Sequence, residues 1–162
     1  MSSQFAGVHS ESEAVFDPNR KDFSGELDAI IAQSTELCAS KGTEEAINLC
    51  LTLEKRCRNG NDWKTLKSLC LHMVQLCKER KDWIKLNAVL MLIHKRNTQQ
   101  RTTISAMVEE AMKYITETPD VETRIELIKT LKEICEGKIY VEAESAHLHF
   151  MVSDKDEEMD VE

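Results

Sequence analysis

The sequence predicts an all-α protein, an irregular α-solenoid of antiparallel helix hairpins with about six to seven helices. Three observations carry that reading. Only five Gly and two Pro occur among 162 residues, while Leu, Glu, Lys and Ala abound, a composition that favours helices over strands. Apolar residues recur at steps of three and four through six successive stretches, joined by short turn signals that fold neighbours into hairpins. An Asp-Trp-x-x-Leu phrase also recurs twenty residues apart, at Asp62-Trp63 and Asp82-Trp83. Two helices then take about 40 residues, the scale of a helical repeat.

The first helix starts at Ser24 and aligns Leu27, Ile30, Ile31, Ser34, Leu37 and Cys38. Lys41-Gly42 ends it, with Gly42 expected as a left-handed cap. Thr43 is expected as the next N-cap, with Glu44 and Glu45 in the first turn, where the helix dipole favours acids. The second helix runs to about Arg58 and stops at Asn59-Gly60. Asp62 and Asp82 open the third and fourth helices as N-caps, and Trp63 and Trp83 are placed to close over the preceding helix end. Trp63, Leu66, Cys70, Met73 and Cys77 form one stripe. The fourth helix is apolar nearly all round from Leu86 to Ile93, so it needs cover on more than one side.

The fifth helix, about Thr98 to Glu117, places Ile104, Met107, Val108, Ala111 and Ile115 on one face. Thr118 is expected to cap the sixth, with Pro119 in its first helical position. That helix uses Val121, Ile125, Ile128, Leu131 and Cys135 and stops at Gly137. Beyond it, Ile139, Val141 and Ala143 alternate as a strand would, but Ile139, Ala143, Ala146 and Phe150 keep helical steps. A seventh helix fits the six before it. The resulting organisation is a flexible tail over 1–23, a helical-repeat domain over 24–152 and an acidic disordered tail over 153–162.

Charge is unevenly placed. Net charge is −8, made of −7 over residues 1–54, +9 over 55–101 and −10 over 102–162. The cationic middle makes Lys78, Arg80, Lys81, Lys85, Lys95 and Arg96 the candidate contact residues. Scattered cations on an acidic chain fit a protein partner better than nucleic acid. No apolar run of about 20 residues spans a membrane. The N-terminus has no basic start followed by an apolar core, so an intracellular location is expected.

No catalytic or cofactor chemistry is expected. The Cys50/Cys57 and Cys70/Cys77 pairs are seven apart, roughly 10 Å along a helix and too far for a disulfide. Without a CxxC, the six cysteines read as reduced core thiols and not metal ligands. His147 and His149 diverge by about 200° on a helix, so they cannot share an ion there. No phosphate-binding Gly loop or Walker lysine is present.

Several phrases together carry a family resemblance: Leu53-Glu54-Lys55 with Arg58, Lys81-Asp82-Trp83 with Leu86-Asn87, Leu92 and Lys95-Arg96, and above all Glu136-Gly137-Lys138-Ile139-Tyr140-Val141-Glu142. Over roughly residues 25–148 the chain resembles the N-terminal part of the non-ATPase regulatory subunit twelve family, PCI-domain scaffold proteins of the 26S proteasome lid. The signalosome's scaffold subunit is the alternative relative. A free-standing nucleic-acid-binding helical repeat is the alternative function. The resemblance implies a non-catalytic α-solenoid arm, cytoplasmic and nuclear. Its implied partners are other lid subunits, with the deubiquitinase, the ATPase ring or the core particle beside them. The family's C-terminal PCI/winged-helix part is absent from the resemblance, which ends at about Ala146.

Overall fold

The structure is a computed structural model that describes residues 19–136 and residue 138. Among the described residues six α-helices follow one another: α1 (Ser24–Lys41), α2 (Thr43–Asn59), α3 (Trp63–Glu79), α4 (Trp83–Arg96), α5 (Arg101–Lys113) and α6 (Val121–Cys135). A single 3-10 turn, Ile115–Glu117, links α5 to α6, and no strand occurs among the described residues. Gly137, the seventh helix, His147, His149 and the segment 153–162 lie outside the described residues.

The six helices form two layers. Consecutive helices pack as antiparallel neighbours, α1 on α2, α3 on α4 and α5 on α6. In one layer α3 also packs against both α1 and α5, and in the other α4 packs against α6. Within a layer the helices run parallel. Glu44 of α2 meets Lys85 of α4 near their starts, and Glu54 meets Arg96 near their ends. This is the stacking of a helical-repeat solenoid, in which each hairpin buries its apolar face against the next.

Between the layers lies one continuous core. Leu66, Leu69, Cys70, Met73 and Cys77 of α3 are fully buried, as are Ile104, Met107, Val108 and Ala111 of α5. Each such Leu or Met contributes about 1.5–3 kcal/mol through its removal from water. Helix α1 buries only Ser34 and Cys38 fully, because it packs on two helices where α3 packs on four. The near-continuous apolar run of α4 is covered from two sides, by α3 and α6.

Several local expectations give way to tertiary structure. Gly42 has φ 103° and ψ 175°, an extended positive-φ conformation essentially reserved for glycine, and not the left-handed helical cap. Thr43 is buried as the first residue of α2, so Gly42 takes the N-cap position without a side-chain bond. Helix α5 begins at Arg101 and not Thr98, because Asn97 is buried and its carbonyl accepts from the Gln100 N–H at 2.9 Å. It ends at Lys113, where the Tyr114 N–H bonds to the Ala111 carbonyl at 3.0 Å and tightens the last turn. The cap of α6 is Asp120, whose Oδ1 accepts from the Thr123 N–H at 2.7 Å. Thr118 instead donates to the Ile115 carbonyl at 2.8 Å, and Pro119 precedes the cap. A charged carboxylate outcompetes a hydroxyl for exposed helix N–H groups.

Candidate interaction surface

The twenty-residue echo is a helix-turn-helix joint built twice. In the first, the Asp62 N–H bonds back to the Cys57 carbonyl at 2.9 Å and the Asn61 N–H to that of Arg58 at 3.4 Å. In the second, Asp82 bonds to Cys77 and Lys81 to Lys78, each at 2.9 Å. Each is a Schellman ending whose left-handed residue is Asn61 (φ 59°) or Lys81 (φ 54°). The next residue, Asp, then caps the following helix. Asp62 Oδ1 accepts from the Thr65 N–H at 3.2 Å, and Asp82 Oδ1 from the Lys85 N–H at 3.1 Å. Trp63 and Trp83 are half-buried against the core. Gly60, despite its place in the turn, has φ −94°.

Gly60 is needed for close approach. A Cβ there would lie 2.9 Å from a Phe23 ring carbon and 3.1 Å from the Arg56 carbonyl. The chain before α1 crosses this joint as a strap. The Lys21 N–H donates to the Gly60 carbonyl at 2.8 Å, and the Phe23 N–H to Asp62 Oδ2 at 2.7 Å. Arg56 lies over the Phe23 ring at 4.8 Å and forks onto Glu26 at 2.7 and 2.9 Å. Packed structure thus reaches back before Ser24.

Between the second-layer helices sits a buried carboxylate. Glu54 is fully buried, and its oxygens accept from Arg58 Nε at 3.0 Å, Arg96 Nη1 at 3.2 Å and Asn97 Nδ2 at 3.2 Å. Sequence reading did not assign this role. A signal was present, since Glu54 continues the Ile47, Cys50, Cys57 stripe and stands four residues before Arg58. The residues that carry the family resemblance at Glu54, Arg58 and Arg96 are those that join α2 to α4.

The predicted contact residues divide into two groups at opposite ends of α4. Lys78, Arg80, Lys81 and Lys85 lie near its start, and Lys95 and Arg96 at its finish. With 14 residues, α4 separates them by about 20 Å. Lys78 pairs with Glu117 at 3.0 Å and lies over the Tyr114 ring, while Lys85 pairs with Glu44 at 2.6 Å. Arg96 is bound to Glu54. Arg80, Lys81 and Lys95 are exposed, without an ion pair among the described residues.

The remaining polar chemistry is structural. Ser34 Oγ lies 3.1 Å from the Ile31 carbonyl and 2.8 Å from His72 Nε2. With the one hydroxyl proton given to Ile31, the imidazole donates to Ser34. Burial lowers the pKa of His72, and likewise that of His94, whose ring nitrogens have no hydrogen-bond partner among the described residues. All six cysteines are buried. Burial pushes the thiols of Cys50 up to about 11 and of Cys57 and Cys77 up to about 12, which leaves them protonated and unreactive. Among the described residues, no His, Cys, Asp and Glu group could hold a metal ion, and no helix is long and apolar enough to cross a membrane.

A sequence profile for the family described as PSMD12/CSN4, N-terminal, matches residues 45–161. The chain is 40% identical over 107 residues to the 26S proteasome non-ATPase regulatory subunit 12 homolog A of Arabidopsis thaliana, which covers 66% of this chain and 19% of that protein. It is 35% identical over 146 residues to the 26S proteasome non-ATPase regulatory subunit 12 of Dictyostelium discoideum, covering 90% of this chain and 33% of the relative. Homolog B of Arabidopsis thaliana is 40% identical over 132 residues, 82% of this chain and 25% of its own length. The chain therefore spans between a fifth and a third of these relatives. With more than half of its length matched by the profile, the chain belongs to the PSMD12/CSN4 N-terminal family.

Proposed function

We propose that this chain is a non-catalytic scaffold segment of the 26S proteasome regulatory-particle lid. It acts through protein–protein contacts in lid assembly and so in ubiquitin-dependent degradation. The observation that carries the reading is the 35% identity over 90% of the chain to a proteasome regulatory subunit named as non-ATPase. Stacked hairpins support it physically: a solenoid exposes long lateral surfaces while its core needs only its neighbours. Other lid subunits are the partners, with the deubiquitinase, the ATPase ring or the core particle adjacent, in cytoplasm and nucleus. A signalosome-type scaffold is the second reading, favoured by a family description that joins the two subunits. The experiment is affinity purification of the tagged chain from cells, with a full-length relative as positive control. Recovery of lid subunits is the expected result. Recovery of signalosome subunits alone favours the second reading, and recovery of neither overturns both.

A further inference from the structure

Net charge hides a sorting of charge by the two ends of the solenoid. The described residues hold 20 of the 21 Lys and Arg but only 18 of the 29 Asp and Glu, a net charge of +2 where the whole chain has −8. Because helix direction alternates, the starts of α1, α3 and α5 share one end with the finishes of α2, α4 and α6. That end gathers Lys21, Lys55, Arg58, Lys64, Lys95 and Arg96, residues far apart in sequence. Arg20, Arg56 and Lys132 bring these cations to nine, against six acids. Asp22, Glu26, Glu133 and Glu136 are exposed, with Glu26 already forked by Arg56, while Glu54 and Asp62 are fully buried and committed to the fold. At the opposite end Glu44 and Glu117 neutralise Lys85 and Lys78.

One feature makes the first end more than scattered lysines. Arg58 and Arg96 share the single carboxylate of Glu54, so one positive charge is left over. Both guanidiniums keep part of their surface in solvent, with side chains 29% and 39% exposed. The buried acid holds their planar forks in place, so less side-chain entropy remains to be lost on binding. Lys55 and Lys95, each next in sequence to a member of the cluster, are exposed beside it.

We infer that this basic end is a docking surface for a carboxylate-rich protein segment, anchored on Arg58 and Arg96 and flanked by Lys55 and Lys95. The inference deepens the scaffold reading, on which it rests for the class of partner. Planar forks suit bidentate pairing with Asp and Glu. The aromatics near this end, Phe23 and Trp63, are packed against the core, with Arg56 over Phe23, and offer no stacking platform for bases.

The test uses the full chain and a fluorescein-labelled oligoglutamate of about ten residues, followed by anisotropy at low salt. Lys55→Glu with Lys95→Glu is expected to weaken binding about tenfold or more, and Arg80→Glu with Lys81→Glu at the other end by less than about twofold. All four side chains are exposed without ion pairs among the described residues, so both doubles should keep the parent melting temperature. No binding by the parent chain, or equal loss in the two doubles, overturns the proposal. Tighter binding of an oligothymidylate of equal charge also overturns it, in favour of nucleic acid. A parent chain that recovers lid subunits yet ignores the peptide rejects this inference alone. Peptide binding without lid recovery rejects the lid reading alone.

Discussion

The joint at Asn59–Trp63 and the joint at Glu79–Trp83 share a backbone. Both end a helix in a Schellman turn on a cysteine carbonyl, and both open the next with a capping Asp. Their surroundings differ. Asp62 is fully buried, with its second oxygen taken by the Phe23 N–H and Arg20 within 3.9 Å. Asp82 is half-buried and exposed Ile84 stands beside it. One local code has therefore been used twice, and the strap of residues 20–23 turned the first copy into part of the core. Local sequence sets the turn, while its energetic weight depends on what is laid over it.

Removing each cap should give the largest contrast. Asp62→Ala leaves two N–H groups without their acceptor in a buried site and is expected to cost about 2–3 kcal/mol. Asp82→Ala loses one half-buried cap, about 1 kcal/mol. Urea denaturation would measure both, and equal losses would show that the strap adds nothing.

Next comes the glycine. Gly60→Ala pushes a methyl into Phe23 and should cost about 1 kcal/mol, as other overpacking does. In a Phe23→Ala background the cost should shrink, since φ at Gly60 suits alanine and the closest contact is gone, leaving the tight approach to the Arg56 carbonyl. The matching change Arg80→Ala is expected to stay within about 0.5 kcal/mol of the parent. A Gly60→Ala penalty left undiminished without the Phe23 ring would refute the strap's role.

Smaller still is relief of the left-handed residues. Lys81→Gly removes the cost of a lysine at φ 54° and should stabilise by about 0.5–1 kcal/mol. Asn61→Gly should gain only a few tenths, because asparagine tolerates this conformation. A thermal melt in which Asn61→Gly gains as much as Lys81→Gly would contradict the account.

The last test concerns α1, the helix that carries the strap. His72, bonded to Ser34 of α1, has its pKa lowered from 6.5 by burial, so the fold prefers the neutral ring. Its contribution is complete above the unfolded value. As pH falls below 6.5 the unfolded chain takes up the proton first, and stability is lost progressively until the folded ring also protonates. His94 acts with the same sign. Melting temperature should fall between about pH 7.5 and 5, and less steeply in His72→Gln. An unchanged slope would remove His72 from the explanation.

Much of the fold was readable in the residues. Steps of three and four at Leu66, Cys70, Met73 and Cys77, or at Ile104, Met107, Val108 and Ala111, name the faces that the core covers. Helix ends were readable less well. Thr43 and Thr118 have the chemistry of caps, but burial of the first and the proximity of Asp120 to the second reassigned them. The contact surface was least readable. Lys78 to Arg96 is one basic run in sequence, yet α4 divides it between two ends, and acids from α2 and the 3-10 turn neutralise part of it.

By itself, then, the sequence determined what depends on neighbours within a few residues: six helices, their buried faces, the two Asp-capped joints and the phrases that mark the family. Those features follow from backbone hydrogen bonding and from periodicity, which act locally. Tertiary structure decided what depends on distant partners. It buried Glu54 between two arginines 38 residues apart, pressed Phe23 on Gly60 and collected scattered cations at one end. Charge and steric contact act through space, and only the stacking of hairpins says which residues share it.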